Sequence, residues 1–256
     1  MNFGPVGIRC PDHASSTGVP VKKRAQMTAR KTRTSFSRSG PIVTFSLITV
    51  NIGVYLLELL TGGQLNGTGS WIYEKGVLVT TAVDSSGQVV GVAEGEWWRL
   101  ITAAFLHYGM LHLGMNMLVL WIIGPPLEEY FGHRRYLLVY LVSGLAGSAG
   151  ALIWSPNALT VGASGAIWGI MGAAVLLEAR RINVFGGQAM GLVVLNLVFT
   201  FLIPGISIGG HVGGLIGGGL CALAFSSLRR TPALATLSVA AVGVLSVAVA
   251  VSQVQI

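Results

Sequence analysis

Seven apolar runs divide the chain, each bounded by polar or charged residues. A helix rises 1.5 Å per residue and a bilayer core is about 30 Å thick, so about 20 apolar residues cross it. The runs occupy residues 41–60, 100–123, 136–154, 159–177, 190–203, 206–228 and 232–251. Arg180 and Arg181 close the fourth, and Arg229 and Arg230 close the sixth. The fifth is short and stops at Pro204, which has no N–H to continue a helix. Residues 61–96 form a long polar, glycine-rich loop, and 124–135 read as a charged turn. Trp71, Tyr73, Trp97 and Trp98 around that loop suit a membrane–water interface. The pattern predicts an all-α, polytopic membrane helix bundle. Six helices make a core over 41–228, and a seventh span with the C-terminus fills 229–256. No repeat of helices divides the chain into two halves, as in many transporters.

Composition agrees with this reading. The chain has 256 residues, 52% of them hydrophobic and only 10% charged, where soluble domains carry about 25% charge. The net charge of +7 would point to nucleic acid on a soluble surface. Here it reads as topology, and no nucleic-acid partner is expected. With residues 1–40 in the cytosol, 14 of the 16 Lys and Arg fall on that side, and only Lys75 and Arg99 fall outside. That asymmetry is the positive-inside pattern. It puts the N-terminus in the cytosol and the C-terminus outside.

Residues 1–40 hold eight basic residues against one acid, Asp12, and no apolar core of the kind a cleaved secretory signal has. They read as a disordered cytosolic tail facing anionic lipid headgroups. The Arg-rich, acid-poor composition also matches a mitochondrial presequence. Cys10 and His13 have zinc-ligand spacing, but one pair does not close a four-ligand site. No metal is expected, and Cys10 and Cys221 are not paired as a disulfide.

Few ionisable or strongly polar groups lie inside the runs, where such groups are costly and mark function. The second run carries His107, His112 and Asn116; the fourth carries Ser164 in Gly162-Ala163-Ser164-Gly165; the sixth carries His211. Their depths can be compared. Ser164 is 16 residues before Arg180, His112 is 16 before Glu128 and His211 is 18 before Arg229. At 1.5 Å per residue these are about 24, 24 and 27 Å. Polar groups from three helices thus share one layer in the outer part of the bilayer.

A serine needs a base to act as nucleophile, and His211 is the one in this layer. With no carboxylate there, the pair would be a dyad. His112 and Asn116 stand at i,i+4 on one helix face. With the Ser164 N–H, free at a helix start, they could hold a developing oxyanion. Gly165, Gly169 and Gly172 in the fourth run, and Gly210, Gly214 and Gly218 in the sixth, would let the two backbones approach closely. Each feature also has a plain reading. Glycines pack helices, an asparagine or histidine can serve as interhelical glue, and three imidazoles can hold zinc.

The combination of HxxxxHxxxN, GASG and GHVGG, in that order, resembles the rhomboid family of intramembrane serine proteases. The resemblance covers residues 97–228. Trp98-Arg99 is similar to a Trp-Arg pair in the family's first external loop. Glu128 and the following Gly132 match a glutamate and glycine, and Gly214 and Gly218 match a close-packing pair. The resemblance implies a six-helix fold around a water-filled cavity open to the outside, with one helix added after the core. It implies Ser164 as nucleophile, His211 as general base, and His112 and Asn116 as oxyanion donors. Gly162, Gly165, Trp168 and His107 take supporting places, and Trp98, Arg99 and Glu128 are structural. Trp168 stands where many members have a tyrosine stacked on the histidine. The implied activity is peptide-bond hydrolysis in or near transmembrane segments of other proteins, without a cofactor, in a bacterial plasma membrane.

Two rivals make different demands. A client-binding relative without activity would be expected to lack at least one of Ser164, His211, His112 and Asn116. A channel or transporter would carry polar residues through to the cytosolic side, yet 170–177 and 215–223 are apolar apart from glycine and Cys221.

Overall fold

The computed structural model describes residues 2–4, 7–9, 40–202 and 205–253. It falls into two units, 1–40 and 41–256. In the first, β1 (Asn2–Gly4) and β2 (Gly7–Arg9) pair antiparallel, with Phe3 opposite Ile8. Cys10, His13 and most of the basic tail lie outside the described residues, as does Pro204.

The second unit is helical. Its elements are α1 (Ile42–Leu60), α2 (Trp71–Gly76), the two-residue strands β3 (Ala82–Val83) and β4 (Val89–Val90), and the short α3 (Arg99–Thr102). Then come α4 (Gly109–Phe131), α5 (His133–Trp154), α6 (Ser164–Ala179), α7 (Ala189–Leu202), α8 (Ile208–Ser227) and α9 (Pro232–Ser252). Among the described residues, α1, α4, α5, α8 and α9 are long and apolar enough to cross a membrane. Two shorter apolar helices, α6 and α7, complete the seven.

Two expected boundaries move. The second run was expected to become helical at residue 100, but α4 begins at Gly109. Residues 99–105 instead make one helical turn and a 3-10 turn, and Leu106 is extended. Gly109 turns the chain with φ of 79°, a conformation that a side chain disfavours. At its other end α4 continues through the expected charged turn, past Pro125 and Pro126, to Phe131. Only Gly132 separates it from α5.

The fourth run was expected to be helical from residue 159, but α6 starts at Ser164. Before it the chain is not helical. Thr160 pairs with Leu78 in an antiparallel bridge, and Gly162 N–H donates to the Ala103 carbonyl at 2.9 Å. Non-helical backbone is tolerated at membrane depth where protein or a cavity, not lipid, surrounds it. Sixteen helical residues span only about 24 Å. The non-helical segment before α6 makes up the remainder.

The core is built on α8, which packs against both α5 and α6, while α9 covers α5. Two glycine ridges allow this. Gly214 and Gly218 face α6, where a Cβ at either would overlap the carbonyl of Gly165 or Gly169. Gly209, Gly213 and Gly217 face α5, against Gly150 and Ala146. The second ridge was not anticipated; between the two, a Cβ at Gly210 would meet the Gly147 carbonyl of α5 at 3.7 Å, while the Gly210 carbonyl would meet a Cβ at Gly165 of α6 at 3.5 Å.

The loop between α1 and α4 carries more structure than its composition predicts. Arg99 is fully buried. Its guanidinium donates to the Glu74 and Val77 carbonyls at 2.7 and 2.8 Å and pairs with Glu96 at 2.6 Å. Trp98 Nε1 donates to the Lys75 carbonyl at 2.9 Å. Tyr73, expected at the interface, is buried. The Asp84 carboxylate accepts from the Ser86 hydroxyl and from the Gln88 N–H, which hold its pKa down to about 2.

Candidate active site

Ser164 is the first residue of α6. The first helical hydrogen bond there runs from Ile167 N–H to the Ala163 carbonyl at 3.0 Å. The N–H groups of Ser164, Gly165 and Ala166 therefore precede the helical ladder, which leaves them aimed outward. Ser164 lines a cavity of about 320 Å³ together with His112, Asn116, Trp168, Asn196, Thr200 and His211. Four helices, α4, α6, α7 and α8, contribute these side chains. Most of the remaining wall is apolar, including Leu111, Met115, Ile167 and Phe199. Beneath it, Ile170, Met171, Leu177 and Cys221 are buried.

His211 lies on the first turn of α8. Trp168 stacks on its ring, with centroids 4.8 Å apart and planes at 21°. Its Nδ1 is 2.8 Å from Thr200 Oγ1. The other ring nitrogen, Nε2, is therefore the one left for Ser164. No hydrogen bond joins Ser164 Oγ to His211 among the described residues, although the two share the cavity. Such bonds are often long in the free state and tighten when substrate binds.

His112 and Asn116 both line the cavity from one face of α4. Tyr108 N–H donates to His112 Nδ1 at 3.2 Å. A neutral imidazole whose Nδ1 accepts must carry its proton on Nε2. That makes Nε2 a donor, as an oxyanion site requires. Gly162 explains how the ring comes close: its φ is 126°, and a Cβ there would lie 2.9 Å from His112 Nε2 and 3.7 Å from Ser164 Oγ. The Asn116 amide donates to the His112 carbonyl at 2.9 Å, which leaves its second N–H for the cavity.

His107 does not lie on α4 but just before it, fully buried, with its ring edge-on to His112 at 5.1 Å. Among the described residues, no three His, Cys, Asp or Glu side chains converge as a metal-ligand set.

The sequence model of the rhomboid domain matches residues 94–228, more than half of the chain. This chain belongs to the rhomboid family. It is 36% identical over 200 residues to the rhomboid protease GluP of Bacillus subtilis (strain 168), an alignment covering 76% of this chain and 37% of GluP. It is 38% identical over 138 residues to the putative rhomboid protease YdcA of the same organism, covering 52% and 69% of the two chains. RHOMBOID-like protein 6, mitochondrial, of Arabidopsis thaliana is 38% identical over 133 residues, 50% of this chain and 43% of that protein. The chain thus spans little more than a third of GluP.

The rhomboid domain contains every cavity side chain named above, from His112 to His211. It also contains Glu128, whose contacts reach outside the domain. Its carboxylate accepts from the Val43 and Thr44 N–H groups, each at 2.8 Å, and from the Thr44 hydroxyl at 2.7 Å. His133 Nδ1 also meets it. Glu128 thereby caps the start of α1, where an anion is favoured.

Thr200, Asn196 and Tyr108 had drawn no attention in the sequence. Asn196 and Thr200 stand at i,i+4 inside an apolar run, the same spacing as His112 and Asn116, and that spacing was the available signal.

Proposed function

We propose that the chain is an intramembrane serine endopeptidase that cleaves peptide bonds in or near transmembrane segments of other membrane proteins. The observation that carries this reading is the convergence of Ser164, His211, His112 and Asn116 on one cavity at the start of α6. In it, Ser164 is the nucleophile and His211 the general base. His211 Nε2 takes the Ser164 Oγ proton as Oγ bonds to the scissile carbonyl carbon. The oxyanion is held by the Ser164 N–H, His112 Nε2–H and the Asn116 amide. Collapse of the tetrahedral adduct breaks the C–N bond, and the His211 proton passes to the leaving amine. Water then attacks the acyl-enzyme by the same proton path in reverse order. The chain's own groups supply nucleophile, base and oxyanion donors, so the mechanism calls on no cofactor.

A substrate helix must unwind locally, because an intact helix hides its carbonyls in its own hydrogen bonds. Substrates with helix-weakening residues near the outer membrane surface fit this demand. The charge asymmetry supports an N-terminus in the cytosol and a C-terminus outside, and the short loops and the family resemblance support a bacterial plasma membrane. The proposed domain limits are 1–40 for the tail, 41–228 for the protease core and 229–256 for the added helix.

The test is labelling of the detergent-purified protein with a fluorescent serine-reactive phosphonate, beside Ser164→Ala and His211→Ala. Labelling of the wild type alone is the expected result. Equal labelling of all three would remove the dyad. No labelling of a folded wild type, with a known rhomboid protease labelled in parallel, would favour client binding without catalysis.

A further inference from the structure

We propose that Thr200 is a positioning residue for His211. It fixes the ring as the Nδ1–H tautomer and so leaves the Nε2 lone pair as the base. The inference rests on the protease reading above for its catalytic consequence, though not for the tautomer itself.

The direction of the hydrogen bond can be worked out. Thr200 Oγ1 has one proton and two neighbours within bonding distance, the Asn196 carbonyl at 2.9 Å and His211 Nδ1 at 2.8 Å. A carbonyl oxygen has no proton to give, so the hydroxyl proton goes to Asn196. This is the back-bond that a threonine makes four residues up its own helix. The hydroxyl oxygen is then left to accept, and His211 Nδ1 must carry the proton it accepts. The chain of donors runs from His211 Nδ1–H to Thr200 Oγ1–H to the Asn196 carbonyl.

The geometry needs this lock. His211 and Thr200 are both buried, so an unpaired ring N–H there is costly. Trp168 fixes the plane of the ring by stacking on its face. Stacking alone does not choose between the ring and its flipped form, in which the nitrogens exchange sides. Thr200, on a different helix, supplies that choice. No proton leaves through Thr200 during the reaction. When Nε2 is protonated by Ser164, the imidazolium keeps its Nδ1–H bond to the same oxygen.

The test uses the full-length protein in detergent, as wild type, Thr200→Val, Thr200→Ser and Ser164→Ala. Valine keeps the shape and removes the hydroxyl; serine restores it. Two-bond 1H–15N spectra of 15N-histidine protein at pH 8, assigned with His211→Gln, read the tautomer directly. The expected result is Nδ1–H in the wild type and in Thr200→Ser, with loss of that state in Thr200→Val. The maximal rate of phosphonate labelling should fall about 10- to 100-fold in Thr200→Val, as for an unsatisfied buried donor. The apparent affinity for the probe should not change, and Thr200→Ser should recover the rate. Nδ1–H retained in Thr200→Val, or Nε2–H in the wild type, would overturn the proposal. The wild-type spectrum decides this even where the valine variant fails to fold. A wild type that shows the Thr200-dependent tautomer but no Ser164-dependent labelling would support the lock and count against the protease reading alone.

Discussion

Trp168 lies flat against His211, one turn along α6 from Ser164, with ring centroids 4.8 Å apart. The indole covers one face of the imidazole and has no hydroxyl, so its contribution is to hold the plane of the ring. Aromatic pairs are worth about 0.5–1.5 kcal/mol beyond their buried area. Trp168→Ala should therefore slow Ser164 labelling by about threefold to tenfold, and Trp168→Phe should keep most of the rate. An alanine variant that labels at the wild-type rate would show that the stack does not orient His211 for the proposed role.

At Gly162 the requirement is steric. The φ of 126° disfavours any side chain, and a Cβ would stand 2.7 Å from His112 Cε1. Gly162→Ala should push the His112 ring off its place while leaving the bundle folded. Loss of one oxyanion donor costs about 10²- to 10³-fold in rate. Labelling kinetics beside circular dichroism would check this. A variant that is both folded and fully reactive would count against the proposed role of His112 as an oxyanion donor.

The number of apolar runs was legible because polar or charged residues bound each one, and Ser164, His211 and His112 stand at similar distances from the charged residues that close three of them. Two helix starts were not legible. Residues 103–108 and 159–163 are apolar enough to read as continuous helix, yet 103–105 make a 3-10 turn, Leu106 is extended, and Thr160 is drawn into a tertiary bridge with Leu78. Thr200 was missed for a related reason. A threonine in an apolar run looks like a spacer until the helix beside it presents His211, and its i,i+4 spacing from Asn196 was the one sign in the sequence. The second glycine ridge was in plain view as the repeated glycine pairs 209–210, 213–214 and 217–218. The first member of each pair meets α5, a contact that spacing within one helix does not reveal.

Those ridges permit a matched comparison. A Cβ at Gly218 would stand 2.6 Å from the Gly169 Cα and overlap its carbonyl, whereas one at Gly219 has only the Gly172 carbonyl at 3.9 Å. Overpacking a tight contact costs about 1–3 kcal/mol. Gly218→Ala should lower the thermal unfolding midpoint by several degrees, at about 2–4 °C per kcal/mol for a chain of this size. Gly219→Ala should leave it unchanged or raise it slightly, since alanine is the better helix former. Equal midpoints would mean that α6 and α8 are free to separate at no cost.

Glu128 joins the rhomboid domain to α1, which lies outside the matched residues 94–228. Its carboxylate is buried and accepts two backbone N–H groups and the Thr44 hydroxyl. Glu128→Gln keeps the size but replaces one acceptor oxygen with an NH2 that faces donors. Hydrogen bonds to a charged group are worth about 1.5–3 kcal/mol, and the favourable charge at the α1 terminus is lost as well. The variant should unfold at lower temperature. Its Ser164 labelling rate, measured well below that midpoint, should stay near that of the wild type, because none of the Glu128 contacts reaches the cavity. A selective loss of labelling at full stability would instead mean that α1 sets the geometry of the site through Glu128.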